Sequence, residues 1–426
     1  MLLSMLFVVA YFFVAAIGAS ADAAYTDDGS TSKFDNLVAW LRHNGGRVDN
    51  RLGLTNHKHG DRFVRGGVAL QHIHAGTELL FLPWKIVFGT INNTAEVPEN
   101  KCEVLQSYAA EVDAGHASFW YPYLALDDSL TSRVPSLWGE LAIAELQGLP
   151  PYDVGSTGGG GLTDWYSSNC ADDVSFVNLP SSSRQALLAA ITRAAGLRFL
   201  PVYDLLNHHN GMVNVQSFAD RKGDTITTTV DIQKGEEIFI SYRGGQENTV
   251  DEMFRRYGFV EEWPQYYSWE DQREDDESDG DGDGGTTNTI KFLILPGDIV
   301  AIYPPPSMLS QIGLNTLNID DLLAQTEKHN QGLSAQQLIY FSKVGVDLMS
   351  MLNTTVEEDT MILQKMNDNL MIMMSQDLPA REIEELMDII SAICYRIQFK
   401  QSIRMALDAT SQVLALRNDK DASSEL

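Results

Sequence analysis

The sequence predicts an α+β protein: a β-rich amino-terminal domain with a helical insertion, followed by an all-α carboxy-terminal domain. Three observations predict it. Residues 64–70, 77–83 and 225–242 read as strands, with apolar runs or alternation between turn residues. From about 107 to 196, and again beyond 289, apolar residues recur at helical spacing. Between these halves, residues 270–283 hold nine Asp or Glu and one Arg, too little apolar surface to order a segment. The boundaries that follow are a leader at 1–23, a mixed domain at 30–268 with its insertion at about 107–196, an acidic linker at 269–288 and a helical domain at 289–420.

Taken in order, residues 2–18 are almost wholly apolar, and Ala19-Ser20-Ala21 and Ala21-Asp22-Ala23 are small-x-small cleavage patterns. This reads as a secretory signal peptide, with an uncleaved membrane anchor as the alternative. Entry to the secretory pathway leaves three destinations: a plastid reached through the endoplasmic reticulum, the reticulum lumen, or secretion. Phe34, Leu37, Val38 and Leu41 then define one face of a short helix. Two strand-like runs, 64–70 and 77–83, follow, joined by a His74-Ala75-Gly76 turn. In the insertion, Trp138, Leu141, Ile143 and Leu146 mark the clearest helix, and the glycine-rich loop 155–161 reads as a connector. It lacks the Lys-Ser/Thr that a phosphate cradle needs. Asp279-Gly280-Asp281-Gly282-Asp283-Gly284 imitates the start of a calcium loop, but position twelve is Ile290 and no metal site is expected. Thr355-Val356-Glu357-Glu358 fits a capping box. Behind it, Leu363, Met366, Leu370 and Met373 share one helical face, as do Ile383, Leu386, Ile390, Ile393 and Ile397.

A net charge of −28 argues against nucleic-acid binding, which relies on a positive field. It suits a basic protein or peptide approaching an acidic surface. Three cysteines, Cys102, Cys170 and Cys394, are far apart and odd in number, so neither a disulfide framework nor a Cys-rich zinc cluster is expected.

The chemistry sits in two segments about thirty residues apart. Asp204-Leu205-Leu206-Asn207-His208 and Gly235-Glu236-Glu237-Ile238-Phe239-Ile240-Ser241-Tyr242 each place polar side chains at the end of an apolar run, as a strand delivers polar groups to a buried site. Tyr257-Gly258-Phe259-Val260 follows. Individually these are ordinary: a buried histidine or strand tyrosine is usually a packing residue with a satisfied polar atom.

Their order resembles the SET-domain methyltransferases, specifically the branch typified by the Rubisco large-subunit lysine methyltransferase with its helical substrate-binding domain. The resemblance extends to Gly66-Gly67-Val68-Ala69, to the run from Ala75 to Pro83, to Trp120-Tyr121-Pro122-Tyr123-Leu124, and to Thr192-Arg193. It implies S-adenosylmethionine as cofactor, held by Arg65, Gly66, Gly67, Arg193, Asp204, Asn207, His208 and Tyr242. It implies that Asn207 meets the charged methionyl end and backbone groups at His208 meet the adenine. Tyr242 and Tyr257 are the implied catalytic residues, the first beside sulfonium and amine, the second lining a lysine channel. The implied activity is protein-lysine N-methylation of a non-histone protein by a monomer that binds no nucleic acid, and binds membrane only if the leader is retained. Two alternatives stand beside it: methylation of histidine, whose ring is readily deprotonated near neutral pH, and a non-catalytic protein-binding module on the same fold.

Overall fold

The computed structural model describes residues 30–59, 62–131, 134–146, 170, 179–242, 249–260, 263–270, 289–305, 319–376 and 380–424. The leader, the glycine-rich loop, the calcium-loop imitation and nearly all of the acidic linker lie outside the described residues. Two compact units are present. One comprises 1–137, 159–246 and 256–258; the other comprises 138–158, 247–255 and 259–426. The α+β expectation holds. Among the described residues no helix is long and apolar enough to cross a membrane.

The first unit opens with α1 (Ser30–His43), which buries Phe34, Leu37, Val38 and Leu41 as its spacing predicts. Two four-stranded sheets follow. One is built from β1 (Arg47–Val48), β4 (Glu78–Pro83), β6 (Val215–Ala219) and β7 (Gly223–Thr228), in the order β1-β4-β7-β6. The other holds β2 (Leu52–His59), β3 (Arg62–Ala69), β5 (Asn207–His208) and β8 (Glu237–Ile240), in the order β2-β3-β8-β5. The runs at 64–70 and 77–83 are thus consecutive strands that do not pair. β3 pairs with β2 and β8, β4 with β1 and β7. β2 leaves no strand signal in the sequence, because its polar Thr55, Asn56, His57 and Lys58 mask the alternation. Helices α2 (Lys101–Ala114) and α3 (Ser181–Thr192) supply part of the insertion. Leu37, Leu82, Trp84, Tyr108, Phe199 and Ile238 are buried in one core.

Cys102 and Cys170 form a disulfide, contrary to the sequence expectation. Separation along the chain says nothing about separation in space: α2 and the segment before α3 bring their Cα atoms to 5.2 Å across 68 residues.

The second unit is largely helical, with a three-stranded antiparallel sheet of β9 (Gln265–Glu270), β10 (Thr289–Leu295) and β11 (Ile299–Ile302) in the order β11-β10-β9. Helices α4 (Val250–Tyr257, whose last two residues belong to the first unit), α5 (Ile319–Gly332), α6 (Ala335–Ser350), α7 (Val356–Ser375) and α8 (Ala380–Ser424) complete it. Trp138, Ala142 and Leu146, read with the insertion, are buried in this unit's core. The capping box is present: Thr355 accepts from the Glu358 N–H and Glu358 from the Thr355 N–H. One polar knot sits among the apolar faces. Asp359, fully buried, accepts from Arg396 at 2.7 and 3.0 Å and from Lys400 at 2.5 Å.

Candidate functional site

β8 is the strand on which the site is built. It runs antiparallel to β3, with Gly67 opposite Ile238, and parallel to β5, with Asn207 opposite Phe239 and His208 opposite Ile240. The Asn214 side chain secures β8 by accepting from the Phe239 N–H at 2.9 Å and donating to the Glu237 carbonyl at 2.8 Å.

On one face, Asn207 Nδ2 donates to Glu237 Oε1 at 2.7 Å. Glu237 also meets His59 Nε2 at 2.9 Å and His57 Nδ1 at 3.3 Å, and its side chain is only 8% exposed. Gly66 is required here by space. A Cβ would stand 2.4 Å from Asn207 Nδ2 and 2.6 Å from Glu237 Oε1, and at Gly67 a Cβ would stand 2.3 Å from a Leu206 methyl. The bare Cα of Gly66 thus makes room for the Asn207–Glu237 pair, and that of Gly67 makes room for Leu206.

A second group anchors the turn that precedes β5. Arg193 pairs with Asp128, lies 3.4 Å from Asp127 Oδ1 and donates to the Asp204 carbonyl at 3.4 Å. Arg65 meets Asp128 at 3.1 Å and donates to the Leu126 carbonyl at 2.9 Å. Tyr123 donates to Asp204 Oδ2. Two sealed atoms remain: Arg65 Nε and Asp204 Oδ1 find no hydrogen-bond partner among the described residues. Burial pushes the Asp204 carboxyl up to about 7, against the opposing pull of Arg193 and the Tyr123 hydrogen bond. The folded state therefore holds a proton on Asp204 that the unfolded chain releases near pH 4, and the stability tied to that proton fades as pH rises toward 7. Asp204→Asn, which has no proton to lose, is expected to gain in melting temperature relative to wild type as pH is raised from about 5 to 8. Parallel pH dependences of the two proteins would contradict it.

The third group lies where β8 ends. The Tyr242 ring is 5.1 Å from the His208 ring and 4.7 Å from the Tyr257 ring, centre to centre. The Tyr242 N–H donates to His208 Nδ1 at 3.1 Å, and Nε2 faces Asn210 Oδ1 at 3.2 Å. A backbone N–H only donates, so the ring proton sits on Nε2, and the Ile240 carbonyl 3.3 Å from Nδ1 is a neighbour without a shared proton. Burial, then the neighbouring His209, pushes His208 down to about 4, so the ring is neutral. Burial, reinforced by Tyr257, raises Tyr242 far above the ordinary phenol range.

All nine residues singled out in the sequence lie in one unit, in three adjoining groups: Gly66, Gly67 and Asn207; Arg65, Arg193 and Asp204; His208, Tyr242 and Tyr257. Sequence reasoning missed Glu237, His57 and His59, and the acid pair Asp127-Asp128. Only Glu237 left a signal, as a charged residue beginning an apolar strand.

A SET-domain family model matches residues 64–243. A crystal structure of the SET domain of LSMT bound to lysine and AdoHcy is 14% identical, covering 89% of this chain and 91% of its own, with a TM-score of 0.51. A structure of Rubisco LSMT bound to sinefungin and monomethyllysine is 15% identical, covering 89% of this chain and 92% of its own, with a TM-score of 0.52. At such identities the likeness is one of fold. No curated protein sequence matches.

Proposed function

We propose that residues 64–243, which a SET-domain family model matches, form a SET methyltransferase domain, and that the protein is an S-adenosylmethionine-dependent protein-lysine N-methyltransferase acting on a non-histone protein. The observation that carries this reading is the meeting of Asn207, His208, Tyr242 and Tyr257 around the β5–β8 pair. The monomethyllysine in the similar Rubisco LSMT structure supports lysine as the acceptor.

The residues fit the cofactor. The sealed Arg65 Nε and Asp204 Oδ1 are complementary to a carboxylate and to an ammonium or hydroxyl. When bound, S-adenosylmethionine supplies a methyl group on a sulfonium. Asn207, oriented by Glu237, would take the methionyl end, and the neutral His208 keeps a second positive charge away from the sulfonium. Tyr242 stays a neutral phenol, so it orients the amine and does not take its proton. That proton leaves beforehand. At pH near 7.5 about one lysine in a thousand is neutral, a cost of ~4 kcal/mol that an apolar channel lowers by desolvation. The leader and the Cys102–Cys170 disulfide both support an oxidising compartment.

The test is incubation of the purified protein with labelled S-adenosylmethionine and separate organellar and cytosolic fractions. Labelled bands are expected in the organellar fraction, with mass spectrometry placing methyl on a lysine Nζ. Asn207→Ala is expected to weaken cofactor binding at least tenfold by calorimetry. No label together with no heat of cofactor binding would refute the enzyme, methyl on imidazole would move the reading to histidine, and label confined to the cytosol would refute the compartment.

A further inference from the structure

Away from this site, the geometry points to a binding site for one divalent transition-metal cation of the zinc class, formed by His72, His74 and Asp231. The connector between β3 and β4 and the connector between β7 and β8 meet through an antiparallel bridge. Ile73 and Ile232 exchange both backbone hydrogen bonds, at 2.9 and 2.8 Å, and both side chains are fully buried. Side chains alternate along extended chain. With Ile73 and Ile232 pointing inward, His72 and His74 on one segment and Asp231 on the other are delivered together to the outer face.

The donor atoms converge. Asp231 Oδ2 lies 3.3 Å from His72 Nε2 and 3.6 Å from His74 Nδ1, and the two imidazole rings are 4.4 Å apart at 84°. With metal–ligand bonds of ~2.1 Å, those two separations subtend angles of ~105° and ~120°, on either side of the tetrahedral value. The other carboxylate oxygen is already engaged: Oδ1 accepts from the Ala75 N–H at 2.8 Å, which turns Oδ2 toward the rings. That is the outer-shell support a ligating carboxylate commonly has. His72 Nε2 is sealed and makes no hydrogen bond among the described residues, although Asp231 stands beside it. Its lone pair and the carboxylate are near each other but not aligned, as expected of two groups aimed at a common third point. Two imidazoles and one carboxylate leave the remaining position to water and suit zinc, nickel or copper over magnesium or calcium. A bound cation would cross-link the connectors that lead into β4 and β8, adding stability by mass action.

The experiment uses the full-length protein stripped with chelator and titrated calorimetrically with zinc at pH near 7.5. His74→Asn and Asp231→Asn are the comparison variants, because both side chains are largely exposed and the fold is expected to survive their replacement, the amide in place of the Asp231 carboxylate keeping an oxygen for the Ala75 N–H. Differences from wild type isolate this site from zinc taken up by the acidic residues elsewhere. The expected result is one site whose affinity falls at least tenfold in each variant, with zinc raising the melting temperature of wild type only. Cobalt is expected to give wild type a tetrahedral visible band that both variants lack. Equal zinc affinity in wild type and variants, or no binding by wild type up to ~1 mM zinc, overturns the proposal.

Discussion

Tyr242→Phe is expected to lower the turnover of methyl transfer by about 10²–10³-fold, the usual loss when one preorganised donor is removed at a reacting centre, while cofactor affinity stays near wild type. The reasoning is positional. The ring is held from two sides by His208 and Tyr257 and its backbone N–H is bonded to His208, so removing one oxygen leaves the ring in place. The reaction between an amine and a sulfonium methyl needs little beyond alignment, and alignment is worth up to ~7–11 kcal/mol when geometry is held. Because Tyr242 remains protonated across the neutral range, the variant should keep the wild-type pH profile on its alkaline side up to about pH 9. Single-turnover kinetics with saturating cofactor measure the effect. A loss below about threefold, or a shifted pH profile, would show that Tyr242 is a packing residue or a base.

Asp359→Ala is expected to destabilise the second unit by about 3–5 kcal/mol, the cost of stranding a buried charge. Two cations depend on this carboxylate: Arg396, 4% exposed, and Lys400, fully buried. Arg396 retains Glu145 at 2.6 Å and Lys400 retains the Thr354 carbonyl at 2.5 Å, but each loses its only buried counter-charge among the described residues. Burial alone would raise the Asp359 carboxyl. The hydrogen bonds from Lys400, Thr354 and Arg396 outweigh it and hold the group below the ordinary carboxylate range. A depressed acid stabilises the fold fully above its unfolded value near 4 and loses that contribution as pH falls through its folded value. Urea unfolding at pH 7 measures the loss, and the destabilisation should shrink as both proteins approach pH 3. Replacing Asp359, Arg396 and Lys400 together by apolar residues should recover much of the stability. A single-variant loss under ~1 kcal/mol would contradict the argument.

Legibility in the sequence followed the range of the interactions. Helix faces such as Phe34, Leu37, Val38 and Leu41 were readable because a few neighbouring residues decide them. The Thr355 capping box was readable for the same reason. The Asn207-His208 and Tyr242 segments were readable because strand ends that deliver polar groups leave a local pattern. Pairing was not. Whether β3 pairs with β4 or with β8 depends on residues 170 positions away, and the polar β2 shows no alternation to mark it. The disulfide between Cys102 and Cys170 and the Asp359–Arg396–Lys400 knot were hidden by the same fact.

By itself the sequence determined the α+β class, the order of its segments and the residues around which a methyl-transfer site is argued, since these rest on periodicity and on short ordered motifs. Tertiary structure alone decided that Gly66 makes room for the Asn207–Glu237 pair, that Arg65 and Arg193 share Asp128, and that His72, His74 and Asp231 face one point. The physical reason is one of distance. Hydrogen bonds and ion pairs act over a few ångströms of space, and only folding turns separations of tens to hundreds of residues into such distances.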